Sequence, residues 1–228
     1  MKNCWMAVLL VLLGTAVYGQ KTTFSSAQDS DPAAKALLDK VRQKYTAYKS
    51  LTAEFTVDME FPDTPKETQK GKMHKEGAKY RVSVSGQEVI CDGSTIWMIF
   101  PQNKEVQISN IPDEDEMGDN ILTPDALLSF YDKGQFAYTI TNEYKDATGR
   151  QIQEIEFKPL DKNADYSKLR MAVVKSTAEV VSVKAFGKDG SKYTLTMTKL
   201  LPDRTFETGF FVFNKAQYPG YYIEDLRD

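Results

Sequence analysis

A strict alternation of apolar and polar residues predicts a long strand in the first third of the chain. Every odd-numbered position from Leu51 to Phe61 is apolar, and every even-numbered position between them is polar. Successive side chains of a strand point to opposite faces, so the pattern predicts an antiparallel strand with one apolar and one wet face. Pro62 and Pro65 mark its end.

The stretch 89–109 predicts three short strands joined by two tight turns. Asp92-Gly93 favours a hairpin turn because glycine tolerates a positive φ, and Pro101 opens the second turn. The middle strand is apolar on both faces, so both faces must be covered. Its odd positions Trp97 and Ile99 oppose Ile96, Met98 and Phe100.

Two helices are predicted by capping residues and apolar spacing. Asp31 followed by Pro32 is typical of a helix start, and an apolar stripe at helical spacing follows: Ala34, Leu37, Leu38, Val41, Tyr45 and Tyr48. Thr123-Pro124 begins a second, short and apolar helix that contains Leu127, Leu128 and Tyr131 and ends at Gly134. An apolar helix this short is expected to lie against an apolar surface.

Further strands follow one another through short turns. They are expected near 68–75, 79–85, 136–142, 151–159, 169–175, 180–186 and 192–200. Short connections favour an antiparallel meander, and a sheet of that many twisted strands tends to curl. We therefore predict a mainly β (α+β) fold: an unclosed antiparallel β-barrel of about ten or eleven strands, with a lid of two or three helices enclosing an apolar cavity. Residues 31–228 are expected to form one domain.

The N-terminus is typical of a secretory signal peptide. Lys2 precedes an apolar run, and cleavage is expected after Gly19, with residues 20–30 disordered. A transmembrane anchor is the alternative, but the run is shorter than the ~20 residues that span a bilayer. Cys4 precedes the run, so it cannot be the lipidated cysteine of a lipoprotein. We expect a soluble, exported, periplasmic protein.

Charge and cysteine content exclude several functions. Without residues 1–19 the chain has 28 basic and 32 acidic residues, a net charge of −4. This acidic balance argues against nucleic-acid binding, which needs a basic face. Cys91 is then the only cysteine, so no internal disulfide can form.

Residues that could carry catalysis are scarce. His74 is the only histidine and has no partner at motif spacing, and Cys91 suits a small buried apolar position. The acidic run 113–116 could bind calcium, but it lacks the spacing of a calcium loop and is more typical of a solvated loop. We expect no catalytic residue, no metal and no cofactor. The abundant Phe, Tyr and Met residues suit either a core or a pocket for acyl chains.

Several segments resemble the LolA family, the periplasmic carriers of outer-membrane lipoproteins. The similarity lies in 90–97 with Pro101 and Glu105-Val106, and in the helix that precedes Ser50-Leu51. It continues through Gly71-x-Met73, Lys79-Tyr80-Arg81, Phe211-x-Phe213-Asn214-Lys215 and Tyr218-Pro219-Gly220, the last two resembling the Bacteroidetes-type form. The resemblance covers nearly all of the chain after the signal peptide and implies an unclosed barrel with an apolar cavity for acyl chains.

One position departs from the family pattern. Family members carry an Arg-Pro pair after the Gly-x-Leu/Met strand, and that arginine helps to latch the lid. This chain has neither residue in 75–79. Lys75, Lys79 or Arg81 supplies the latch, or it is absent.

The resemblance implies a carrier that works without chemistry. Acylated lipoproteins would be its cargo, an inner-membrane lipoprotein-releasing transporter its donor and an unknown outer-membrane protein its acceptor, with the carrier itself a monomer. A carrier of another lipid, or an envelope lipid sensor or scaffold, is the alternative. The residues predicted to line the cavity are Leu37, Leu38, Val41, Phe55, Val57, Met59, Tyr80, Val82, Trp97, Ile99, Leu127, Leu128 and Tyr131.

Overall fold

One sheet of twelve strands contains all the strands within residues 26–111, 131 and 134–227, the part of the chain that the computed structural model describes. The strands are β1 (Ser50–Glu60), β2 (Glu67–Glu76), β3 (Lys79–Val84), β4 (Gln87–Cys91), β5 (Thr95–Phe100), β6 (Glu105–Asn110), β7 (Phe136–Lys145), β8 (Gln151–Pro159), β9 (Tyr166–Val174), β10 (Val180–Gly187), β11 (Lys192–Pro202) and β12 (Tyr222–Asp225). Their order across the sheet is β12-β6-β5-β4-β3-β2-β1-β11-β10-β9-β8-β7. The predicted mainly β, unclosed architecture is confirmed.

The strand β12 was not predicted, and it makes the count twelve rather than ten or eleven. It pairs in parallel with β6. All other pairs of neighbouring strands in the described part of the sheet are antiparallel. A four-residue strand is too short to show periodicity. Its pairing with Glu105–Ile108 also joins positions far apart in the chain.

The predicted hairpin turn between β4 and β5 is confirmed. Gly93 has a φ of +99°, which glycine adopts without the steric cost of a Cβ. The Asp92 side chain accepts hydrogen bonds from the backbone N–H groups of Ser94 and Thr95, both at 2.9 Å. An Asx-type turn of this kind fixes the register of the two strands.

The helix α1 (Pro32–Thr46) begins where the capping residues predicted. Asp31 Oδ1 accepts a hydrogen bond from the Ala33 N–H at 2.8 Å, and the Asp31 N–H donates to the Tyr138 carbonyl at 2.8 Å. The start of α1 is thus tied to strand β7. Within the segment predicted to be disordered, Ala27–Asp29 form a 3-10 turn, and the Ser26 N–H donates to the Asp29 carboxylate at 3.1 Å.

The main core lies between α1 and one face of the sheet. We call the face that contacts α1 the inner face and the opposite one the outer face. The helix packs on β7–β10, the half of the sheet that supplies most of this core. The buried apolar residues that contact one another there are Ala34, Leu37, Leu38, Val41, Tyr45, Leu51, Tyr131, Phe136, Ile155, Phe157, Leu169, Met171, Val173, Ala178, Val180 and Val183.

Some predicted features lie outside the described residues. They are the signal peptide 1–19, the acidic run 113–116, and the second helix with Leu127 and Leu128. Within 26–111 and 134–227, no helix combines the length and the apolar composition needed to cross a bilayer.

Candidate apolar binding face

Apolar residues continue on the inner face of the sheet beyond the half that α1 covers, and Gln69, Glu67 and Gln87 share that face with them. Val82 pairs directly with Met73 and Val89, and Val89 pairs with Met98. Directly paired residues of neighbouring strands point to the same face, so one apolar surface crosses β1–β5. We call it the open apolar face. It consists of Phe55, Val57, Met59, Tyr80, Val82, Val84, Val89, Ile96, Met98 and Phe100.

The burial of this surface differs from that of an ordinary core. Phe55 is 7% exposed, whereas the other nine residues are all half-buried. Along β1 the inner positions pass from buried Leu51 through half-buried Val57 to Phe61, which is 42% exposed. A contiguous apolar surface that is incompletely buried is typical of a binding site.

Phe55 is held in place by a glycine on the neighbouring strand. Gly71 is its direct partner, and a Cβ placed on Gly71 would lie 2.4 Å from two carbons of the Phe55 ring. The ring therefore lies across β2 and occupies the space that the side chain of any residue other than glycine would take at position 71. Gly71 does not have a positive φ, so close approach rather than backbone conformation explains the glycine.

Five of the predicted lining residues lie on the open apolar face: Phe55, Val57, Met59, Tyr80 and Val82. Their contact with a lipid stays a prediction. Sequence reasoning missed the other five members of this face, all from β3–β5: Val84, Val89, Ile96, Met98 and Phe100. The period-2 pattern running on from Val82 marks Val84 as a neighbour on the same face.

Four predicted lining residues belong to the packed core instead. Leu37, Leu38 and Val41 are at most 5% exposed and contact the β7–β10 half of the sheet. Tyr131, which is 4% exposed, lies in the same core, and its hydroxyl donates a hydrogen bond to the Leu38 carbonyl at 3.2 Å. Packing against the sheet accounts for all four apolar side chains.

The prediction that Trp97 and Ile99 face the same cavity is wrong. Ile99 pairs with Glu88, and Trp97 pairs with Ile90, which places both on the outer face. Trp97 stacks on Phe213 with ring centroids 6.1 Å apart, and Ile99 is 1% exposed in a cluster covered by the same segment. The two residues are therefore separated from the open apolar face by the sheet itself.

A C-terminal segment, residues 203–221, covers the outer face of β2–β6. Arg81 makes two hydrogen bonds to the Glu88 carboxylate, at 2.6 and 3.1 Å, and donates to the Phe210 carbonyl at 3.2 Å. Tyr218 donates to Glu88 at 2.9 Å; burial and this hydrogen bond raise the pKa of Tyr218 to about 12. The network fastens the segment to the sheet.

The positions of Arg81 and Lys75 bear on which residue could replace the arginine that latches the lid in the LolA family. Arg81 lies on the outer face, so it cannot latch anything over the inner face. Lys75 lies on the inner face between Leu51 and Tyr80, and its Nζ donates to the Gly77 carbonyl at 2.6 Å. Lys79 lies two residues before Arg81 on β3 and shares its outer face, so Lys75 is the one of the three predicted substitutes that lies on the inner face.

His74 and Cys91 occupy structural positions. His74 Nδ1 lies 3.0 Å from the Thr52 hydroxyl, and its ring meets Phe206 and Phe210 edge-on; burial lowers its pKa. Cys91 is fully buried, and burial raises the pKa of its thiol. A protonated thiol is a poor nucleophile, so this environment favours packing over catalysis.

The sequence matches no protein-family profile, and no curated protein matches it. Solved structures do share its fold. An uncharacterized conserved protein from Thermus thermophilus aligns over 86% of this chain and 99% of its own, with a TM-score of 0.51 and 12% identity.

The alignment with the Thermus thermophilus protein shows a shared fold. Lower TM-scores of 0.41 relate the chain to a LolA superfamily protein from Nitrosomonas europaea (12% identity, 79% of this chain and 97% of that one) and to an outer membrane lipoprotein-sorting protein domain from Vibrio parahaemolyticus (13% identity, 81% and 99%). The unclosed, mainly antiparallel sheet that the sequence resemblance implied is present in the structure itself.

Proposed function

We propose that this protein is a periplasmic carrier that binds the acyl chains of lipoproteins on its open apolar face and shuttles them from the inner to the outer membrane. The observation that supports it best is the half-buried state of nine apolar residues that share one face of β1–β5. The names of the structural neighbours, a LolA superfamily protein and a lipoprotein-sorting domain, fit the same function.

The energetics of acyl chains explain why such a surface suits a carrier. Each exposed CH₂ group costs about 0.8 kcal/mol, so a free acyl chain in water is strongly disfavoured. Half-buried residues such as Val82 and Met98 still have apolar surface left to bury against a chain. The face is already partly buried without cargo. The free energy gained when an acyl chain binds is therefore smaller than for a fully exposed surface, and release to an acceptor stays feasible.

In this role the protein binds and releases its cargo and catalyses no reaction. Its cargo would be acylated lipoproteins, its donor an inner-membrane lipoprotein-releasing transporter, and its acceptor an outer-membrane protein. Export would follow cleavage after Gly19, and the mature chain would act as a monomer in the periplasm.

A pair of neighbouring residues on β1 tests the site. Val57 lies on the open apolar face, and Thr56 lies on the outer face of the same strand. With a fluorescent fatty acid as the probe, Val57→Asp should raise the Kd about tenfold, because contact with roughly two CH₂ groups is lost. The matched control Thr56→Asp introduces the same charge opposite Lys70 and should change the Kd less than about twofold.

Stability is measured on the same variants, because Val57→Asp can also weaken the fold. Val57→Thr keeps the shape of the side chain and replaces one methyl group with a hydroxyl group, and it should weaken binding to a smaller extent. Equal effects of the Val57 and Thr56 substitutions on the Kd, or no binding of the probe by the natural protein, would contradict the proposed site.

A further inference from the structure

Three cations surround one aromatic ring on the outer face of β9 and β10. The ring centroid of Phe186 lies 5.1 Å from Lys168 Nζ, 5.4 Å from Arg170 Cζ and 5.4 Å from Lys184 Nζ. We call these four residues the Phe186 cluster. The proposed lipid site does not use it, since the cluster lies on the opposite face of the sheet and on other strands.

The cluster carries more positive charge than its acidic neighbours neutralise. Glu156 pairs with both Lys168 and Arg170, at 2.9 Å each. Glu60 pairs with Lys184 at 3.4 Å and with Lys192 at 3.9 Å. Four cations thus share two carboxylates, and the cationic side chains stay 30–45% exposed.

The arrangement combines ion pairs to Glu156 and Glu60 with a repulsive contact between two of the cations. Arg170 and Lys184 are direct cross-strand partners, and like charges placed opposite each other destabilise a sheet. In the part of the chain that the structure describes, Arg170 Nε is also buried without a hydrogen bond to another protein group. A surface that concentrates one sign of charge around a half-buried aromatic ring suits binding of an anion.

The spacing of the cations indicates the form of the anionic partner. Lys168 and Arg170 are two residues apart on β9, so their side chains leave the same face about 6.6–6.8 Å apart. Carboxylates at alternate positions of an extended polypeptide repeat at the same distance. Phe186 adds an apolar surface between the charges.

We propose that the Phe186 cluster docks an extended, acidic segment of a partner protein. An anionic membrane fits less well, because a flat surface would also meet Glu60, Asp58 and Glu54, which lie on the same outer face. A narrow segment that runs along β9 can contact Lys168 and Arg170 without approaching Asp58 or Glu54, which lie three strands away on β1.

Fluorescence anisotropy with a labelled peptide of alternating Glu and Ser tests the docking surface, with a Gln-for-Glu peptide as the neutral control. The double variant Lys168→Gln/Lys184→Gln leaves Arg170 on Glu156 and Lys192 near Glu60, so each acid keeps a cation. It should raise the Kd about fivefold, as the loss of two exposed charge contacts does.

A matched double variant distinguishes the effect of the cluster from the effect of positive charge elsewhere on the outer face. Lys70→Gln/Lys199→Gln removes the same charge from the same outer face but away from Phe186, and it should leave the Kd within about twofold of the natural value. Binding should also weaken as salt rises. Equal effects of the two double variants, absent binding of the acidic peptide, or equal binding of the Gln peptide would each overturn the proposal. The natural protein could instead bind vesicles of phosphatidylglycerol and not the peptide. Loss of that vesicle binding in Lys168→Gln/Lys184→Gln would assign the cluster to a membrane.

Discussion

The contact between Phe55 and Gly71 allows a two-residue test of how the open apolar face is packed. A Cβ on Gly71 would lie 2.4 Å from the Phe55 ring and 3.0 Å from Val84 Cγ2. Gly71→Ala should therefore destabilise the natural protein. In a Phe55→Ala background the ring is gone, and the new methyl group can occupy part of the space it leaves.

The magnitudes follow from the burial of the ring. Phe55 is 7% exposed, so Phe55→Ala should cost about 3–5 kcal/mol, as large-to-small changes in cores do. Overpacking by Gly71→Ala should cost about 1–3 kcal/mol. In the Phe55→Ala background the same change should be neutral or stabilising by about 0.5–1 kcal/mol, because glycine disfavours a strand interior. The two substitutions should thus be coupled by about 1–3 kcal/mol.

Urea unfolding of the four proteins, followed by circular dichroism, measures this coupling. Equal slopes of the unfolding free energy against urea for all four would show that the compactness of the two states is unchanged. Additive effects of the two substitutions would refute the packing of the ring over Gly71. A Phe55→Ala cost well below about 3 kcal/mol, together with altered binding of a fluorescent fatty acid, would mean that Phe55 lines free volume instead of core.

Three further outcomes are expected. Hydrogen bonds from Thr148 above all hold the pKa of Asp146 at about 2, below its ordinary 3.8, so its stabilising contribution is present above about pH 4 and is lost as pH falls towards 2. Asp146→Asn should flatten the dependence of the urea midpoint on pH in that window. Cys91 is fully buried and its thiol pKa is raised, so a thiol reagent should label it at the rate of unfolding. Phe213→Ala removes the ring stacked on Trp97 and should shift tryptophan emission to longer wavelength.

Local patterns were enough to predict most of the fold. The alternation from Leu51 to Phe61 identified β1 and its apolar face, because a period of two has no other structural meaning over eleven residues. Asp31-Pro32 located the start of α1, and Asp92-Gly93 located the β4–β5 turn. Each of these signals acts between residues close in the chain.

The errors arose where the decisive contacts are distant in the chain. Strand β5 is apolar on both faces, so no polar residue marked which side faces α1; Trp97 was assigned to the wrong face for that reason. Its true partner, Phe213, lies more than a hundred residues later. The three cations around Phe186 come from neighbouring strands, and only the register of β9 and β10 brings them together.

Native mass spectrometry of the protein purified from the periplasm of its own cells tests the carrier function most directly. The account predicts complexes whose added mass is that of acylated lipoproteins, and predicts that Val57→Asp reduces their fraction whereas Thr56→Asp does not. Protein recovered only without bound lipoprotein, whether empty or with another lipid, would contradict the claim that this chain carries lipoproteins.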